Sequence, residues 1–187
     1  MLSIEIKLLI SDFDGTLVDT FEANFMAYQQ AFSYNNLSLS KEDYHRCFGL
    51  RFEKFMEVMG IVDSNVKNSI RELKSDYYPK FFNRLKVNAP LLGFIETFHR
   101  QGGKTAIAST ARRKNLEAAL SHIGSRGAFD LILAGEEVKQ GKPSPEIYLT
   151  TLQHFDMRPS EALVFEDSDV GILSAEAAGI AYIKVHI

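Results

Sequence analysis

LLISDFDGTLVDT, residues 8–20, decides how the rest of the chain is read. Three apolar residues, Leu8-Leu9-Ile10, give way to Asp12, and a second acid, Asp14, follows just before Gly15. A short apolar run that stops at a turn signal is the pattern of a buried strand. An Asp-Gly pair after a strand is ordinary turn chemistry. Two acids together at the mouth of such a strand are not ordinary. Like charges about 4 Å apart repel by roughly 4 kcal/mol at an effective dielectric near 20. Residues elsewhere must offset that repulsion.

The same pattern recurs downstream. With Lys7–Ile10, the runs Thr105–Ala108 before STARR, Leu131–Ala134 before GEE and Leu163–Phe165 before EDSD read as buried strands, and Tyr182–Ile187 closes the chain. Helical patterns alternate with them at Pro90–Arg100, Arg113–Ile123, Pro145–Phe155 and Gly171–Ala178. Strands alternating with helices of this length predict βαβ units and a parallel sheet. Between about Phe21 and Val87 the pattern changes. There FMAYQQAF and NVKNSIRELKSDYYPKFF are amphipathic, with breaks at Asn35-Asn36, Gly49 and Gly60, so a small helical domain is expected inside the α/β framework.

Composition narrows the class. The 187 residues suffice for one α/β domain with an insertion, and a net charge of −3 with both signs interspersed argues against nucleic-acid or membrane-surface binding. No apolar segment has the length of a membrane span. The start, MLSIEIKLL, lacks the basic and small-residue features of a secretion signal. The lone Cys47 cannot form an internal disulfide, so a buried thiol in a reducing, cytoplasmic setting is expected.

In open parallel sheets, ligands bind outside the carboxyl ends of the strands. Asp12, Asp14, Ser109, Thr110, Lys142, Glu166 and Asp167 all fall at or near such ends. Each has an ordinary alternative: Asp14-Gly15 a turn, Ser109 or Thr110 a helix cap, Lys142 a solvated loop lysine, Asp167-Ser168 another cap. Together they are harder to explain away. Up to four carboxylates converging on one spot need a divalent cation, a buried lysine or protonation, and oxygen-only ligands beside a phosphate suit Mg²⁺. The lysine, the hydroxyl and backbone N–H groups after Ser109 would then face the phosphate. Gly103-Lys104-Thr105 imitates the end of a P-loop, but its first glycine position is Phe98 and a strand follows.

DFDGTLVDT, IAST, KPSP and FEDSDVGILSAEAAG resemble, in order, the four motifs of the haloacid dehalogenase-like phosphohydrolases. The closest subgroup is that of β-phosphoglucomutase and its sugar-phosphatase relatives, which carry a helical cap after the first motif. The resemblance covers residues 4–20 and 90–187, and the insertion matches in position and character. It implies a Rossmann-like three-layer α/β/α core with a parallel sheet (residues 1–19 and 88–187) plus an inserted α-helical cap (residues 20–87).

Carried over by position, the resemblance makes Asp12 the nucleophile and Asp14 the general acid/base. Ser109, Thr110 and Lys142 would bind phosphate. Asp12, Asp14 through its carbonyl, Asp167 and the assisting Glu166 would hold Mg²⁺. A small phosphorylated metabolite is the implied partner of a monomer or weak dimer. Where β-phosphoglucomutase carries a cap histidine, this chain has Asn24, which cannot take a proton. A phosphatase is therefore favoured over a phosphomutase, and over a non-catalytic phospho-ligand-binding relative. His45 reads as a surface residue. Thr20, Asn24, Arg51, Arg112 and Arg113 are candidates for substrate contacts, with a solvated helix end the equal alternative for the arginines.

Overall fold

The computed structural model describes residues 5–187. Residues 1–4, where the expected core and the segment read for a secretion signal begin, lie outside the described residues. The chain forms two compact units, one running to Asp19 and resuming at Val87, the other spanning Thr20–Lys86.

The first unit is built on a five-stranded parallel sheet. Its strands are β1 (Leu8–Ser11), β4 (Lys104–Ala108), β5 (Leu131–Leu133), β6 (Ala162–Glu166) and β7 (Ala181–Lys184). Two short strands, β2 (Val18–Asp19) and β3 (Lys86–Val87), pair separately, where the chain leaves this unit and returns to it. The large sheet has the order β5-β4-β1-β6-β7. The chain thus builds outward from β1 on one side and then on the other, and the order reverses beside β1, where ligands bind in such sheets. Ser11 is level with Ile107 of β4 and Phe165 of β6, so the three carboxyl ends emerge together.

Every residue of β1 is buried, as a strand covered on both faces requires. Leu8, Ile10, Ala106, Ala108, Val164, Ile147, Tyr148, Leu152 and Ala175 belong to one apolar cluster. It joins the sheet to α7 (Glu146–Phe155) and α8 (Asp169–Ala177). The helices α5 (Ala89–Arg100) and α6 (Arg113–His122) complete this unit. The expected helices and strands are present, with ends moved by one or two residues. The exception is β7, which stops at Lys184 and is exposed along its whole length, as an edge strand.

The second unit contains α1 (Phe21–Tyr34), α2 (Lys41–Cys47), α3 (Phe52–Val58) and α4 (Ser64–Tyr77). Side chains of Ser40 and Asp63 cap α2 and α4 by accepting backbone N–H bonds. Chain reversals fall where expected, with Asn36, Gly49 and Gly60 at positive φ. The long helix read through YYPKFF is shorter, because Tyr78–Arg84 winds as a 3₁₀ segment around Pro79, which has no N–H to continue an α-helix. Phe25, Phe32, Tyr44, Phe55, Met56 and Ile70 form this unit's own core. Cys47 is buried in it, and burial pushes its thiol up. His45 is exposed, as expected.

Candidate active site

β1 delivers Asp12 to the centre of the sheet's carboxyl edge, where its N–H donates to the Phe165 carbonyl at 2.9 Å. Gly15 then turns the chain at φ +92°, and a Cβ there would lie 2.4 Å from Asp167 Oδ2, so only glycine fits. The turn also presents Thr16, which donates to Asp167 Oδ1 at 2.8 Å. From β4, Ser109 donates to Asp14 Oδ2 at 3.4 Å and accepts from the Ala111 N–H at 3.0 Å. It therefore closes a tight turn and does not cap α6, whose N-cap is Arg112. One N–H expected to cradle phosphate is taken up in that turn. Thr110 follows, half-buried, with its carbonyl so close to Gly135 that a Cβ there would lie 2.3 Å away.

Lys142 is not a solvated loop lysine: its side chain is 3% exposed. Nζ donates to Asp12 Oδ1 at 2.7 Å, to the Ala108 carbonyl at 3.0 Å and to Glu166 Oε1. Glu166 is fully buried at the end of β6, and Tyr148 donates to its Oε1 at 2.9 Å. Its Oε2 accepts from the N–H groups of Asp167 (3.1 Å) and Ser168 (3.3 Å) and from Ser168 Oγ (3.1 Å). Ser168, rather than Asp167, caps α8. Gly171 belongs to the same arrangement, since a Cβ there would sit 1.9 Å from Glu166 Oε1.

One carboxylate oxygen from each of Asp12, Glu166 and Asp167 lies within 4.8 Å of the others. Burial pushes the Asp12 carboxyl well above its usual range; Lys142 opposes this, and Glu166 and Asp167 add to it. Burial raises Asp167 too, against the Thr16 hydrogen bond. Burial alone would lower the Lys142 ammonium, but the charges around it, Asp12 first, hold it well above the ordinary value. A single lysine among three acids leaves negative charge in excess. The donor set is all oxygen, which fits a hard divalent cation.

The remaining candidates make other contacts. Arg113 donates to the Ile132 carbonyl at 2.7 Å, to Glu117 at 3.1 Å and to Glu137 at 2.5 Å, so it ties α6 to the β5 region. Arg112 lies 3.7 Å from Glu136. In the second unit, Asn24 and Thr20 are buried and joined by a 3.0 Å hydrogen bond, and Arg51 is the N-cap of α3. Tyr148 falls within the helical pattern Pro145–Phe155, and nothing in the sequence singles it out. Gly171 stands at the start of a helical pattern in the sequence, whereas it lies inside α8.

Comparison with known proteins gives the family. Residues 9–185 match the family of haloacid dehalogenase-like hydrolases. The chain belongs to that family. It is 36% identical to protein CbbY of Rhodobacter capsulatus over 95% of this chain and 84% of that protein. It is 33% identical to a phosphorylated carbohydrates phosphatase of Thermotoga maritima, covering 93% and 82%. The solved structure of CbbY from Rhodobacter sphaeroides in complex with phosphate superposes with a TM-score of 0.88 at 26% identity, covering 97% of this chain and 87% of that one. Phosphoric monoester hydrolase is the enzyme class these relatives support. Among the described residues, no helix is long and apolar enough to cross a membrane.

Proposed function

We propose that the chain is a Mg²⁺-dependent phosphatase of a small phosphorylated metabolite, a sugar phosphate or similar phosphomonoester, acting through an aspartyl-phosphate. The observation that carries the reading is the Lys142 ammonium 2.7 Å from Asp12 Oδ1 at the carboxyl edge of the sheet. The name of the Thermotoga maritima relative, a phosphorylated carbohydrates phosphatase, supports the substrate class.

In this reading Asp12 attacks phosphorus, and the bond from phosphorus to the ester oxygen breaks as the Asp12–phosphorus bond forms. Asp14 gives its proton to the departing oxygen, then takes one from the water that hydrolyses the acyl phosphate. Lys142 and Ser109 hold the phosphoryl oxygens, with Thr110 at the same strand end. Asp12, Asp167 and the Asp14 carbonyl would hold Mg²⁺, with Glu166 assisting from behind through Lys142 and the Asp167 N–H. The ion would neutralise charge shared by nucleophile and phosphate. The reading extends to the division of the chain, with chemistry in the α/β unit and selectivity in the helices of residues 20–87, where Arg51 is a candidate contact. Asn24 supports hydrolysis over mutase chemistry, since its amide cannot take a proton.

The test is a panel of sugar phosphates with purified protein, with and without Mg²⁺, followed by rapid quench and intact-mass analysis. Phosphate release and one added phosphoryl group on the parent, absent from Asp12→Asn, are expected. Isomerisation of a hexose 1-phosphate without phosphate release would move the assignment to a mutase. An added phosphoryl group on Asp12→Asn would overturn the mechanism.

A further inference from the structure

We propose that Tyr148 is a positioning residue: its buried hydroxyl holds Glu166 so that the Lys142 ammonium stays on Asp12 and the phosphoryl group. The proposal rests on the reading of Lys142 as a phosphoryl-binding residue.

Lys142 has three protons and three acceptors: Asp12 Oδ1, the Ala108 carbonyl and Glu166 Oε1. All three protons are taken, so a phosphoryl oxygen comes as a fourth acceptor and Glu166 competes with the reacting group for the ammonium. Glu166 is fully buried, and a buried carboxylate with its charge unshared would draw the flexible lysine toward itself. Its charge is shared. Three donors on Oε2 come from the turn that also carries Asp167 and Ser168. On Oε1, the oxygen that Lys142 uses, the other donor among the described residues is the Tyr148 hydroxyl, which reaches it from α7. The Tyr148 ring walls the same site, with Lys142 Nζ 5.3 Å from its centroid. Burial pushes the phenol well up, so it stays a neutral donor. Without this hydroxyl, Glu166 Oε1 has only the ammonium to satisfy it, and Lys142 shifts away from the reacting group.

The experiment compares Tyr148→Phe, Lys142→Ala and Thr151→Val with the parent, measuring kcat, KM and inhibition by orthophosphate at saturating Mg²⁺. Thr151 is the control: it is fully buried one turn further along α7 and donates to the Ile147 carbonyl at 2.8 Å, away from Glu166. Tyr148→Phe is expected to weaken orthophosphate inhibition and lower kcat by about tenfold each, near the lower end of the effect of losing one buried hydrogen bond to a carboxylate. Thr151→Val should lower the thermal midpoint and leave both constants unchanged.

If Lys142→Ala weakens inhibition and Tyr148→Phe does not, the proposal is wrong while the reading of Lys142 stands. If Lys142→Ala has no effect on inhibition, that reading fails and takes the proposal with it. Should Tyr148→Phe not fold, proton NMR of the parent decides. Orthophosphate should shift the Lys142 ammonium and Tyr148 hydroxyl signals together, and a Tyr148 signal that stays put while Lys142 moves overturns the proposal.

Discussion

Lys142→Met keeps most of the stem and removes the charge from between two buried acids. Asp12 and Glu166 would then face each other with oxygens within 4.8 Å and no cation between them. With both carboxylates ionised, the repulsion at an effective dielectric near 20 is about 3.5 kcal/mol. That agrees with the roughly 3–5 kcal/mol lost when one partner of a buried ion pair is removed. For a chain of this size it is a fall of about 7–14 °C in thermal midpoint.

The pH dependence has a definite sign. Burial already raises Asp12, and Lys142 is the main group opposing that rise. The folded variant therefore keeps a proton that the unfolded chain releases near pH 4, so its stability falls as pH increases above that point. The loss relative to the parent should be larger at pH 8 than at pH 5. The chain has no tryptophan, so urea unfolding in EDTA is followed by far-ultraviolet circular dichroism. A loss below about 1 kcal/mol, or equal losses at both pH values, would refute the reasoning.

Asp14→Asn should depend on the leaving group: phosphorylation of Asp12 by a nitrophenyl phosphate persists while a sugar phosphate fails at the first step, and equal losses for both in rapid quench would remove Asp14 from its role. EDTA should abolish turnover and Mg²⁺ restore it; Asp167→Asn should weaken Mg²⁺ binding by calorimetry without lowering the melting temperature in EDTA, since it relieves charge crowding. Gly171→Ala should destabilise the fold, because overpacking of about 1–3 kcal/mol outweighs the gain of about 1 kcal/mol in helix propensity. An unchanged denaturation midpoint would mean that Glu166 gives way despite its five donors.

The sheet was legible because each strand is short, apolar and closed by a polar cluster, and that pattern depends on nothing distant. Asp12, Lys142, Glu166 and Asp167 were legible as a set, since one unexplained acid pair demanded partners. Their burial was not: a lysine in GKPSPE reads equally as solvated until β1 is seen to lie between β4 and β6. Tyr148 left no trace because a phenol and a phenyl ring fill a helix stripe alike, and its hydroxyl finds Glu166 across 18 residues of chain. The two-residue strands β2 and β3 are too short for any period to register. The break at Pro79 was written in the chain and was outweighed by the apolar pattern around it.

Because β1 lies between β4 and β6, the assembly of the site is tied to the order of synthesis. Asp12 leaves the ribosome early, whereas Lys142 follows 130 residues later, and the bond from Thr16 to Asp167 closes over 151 residues. A nascent chain must hold β1 in waiting, its apolar run unpaired on one side until β6 arrives. Lys142 precedes β6 in the chain, so until β6 arrives it is the neighbouring carboxylates, Glu166 and Asp167, that the acids at the end of β1 lack. The full cluster of Asp12, Lys142, Glu166 and Asp167 is complete only once β6 docks.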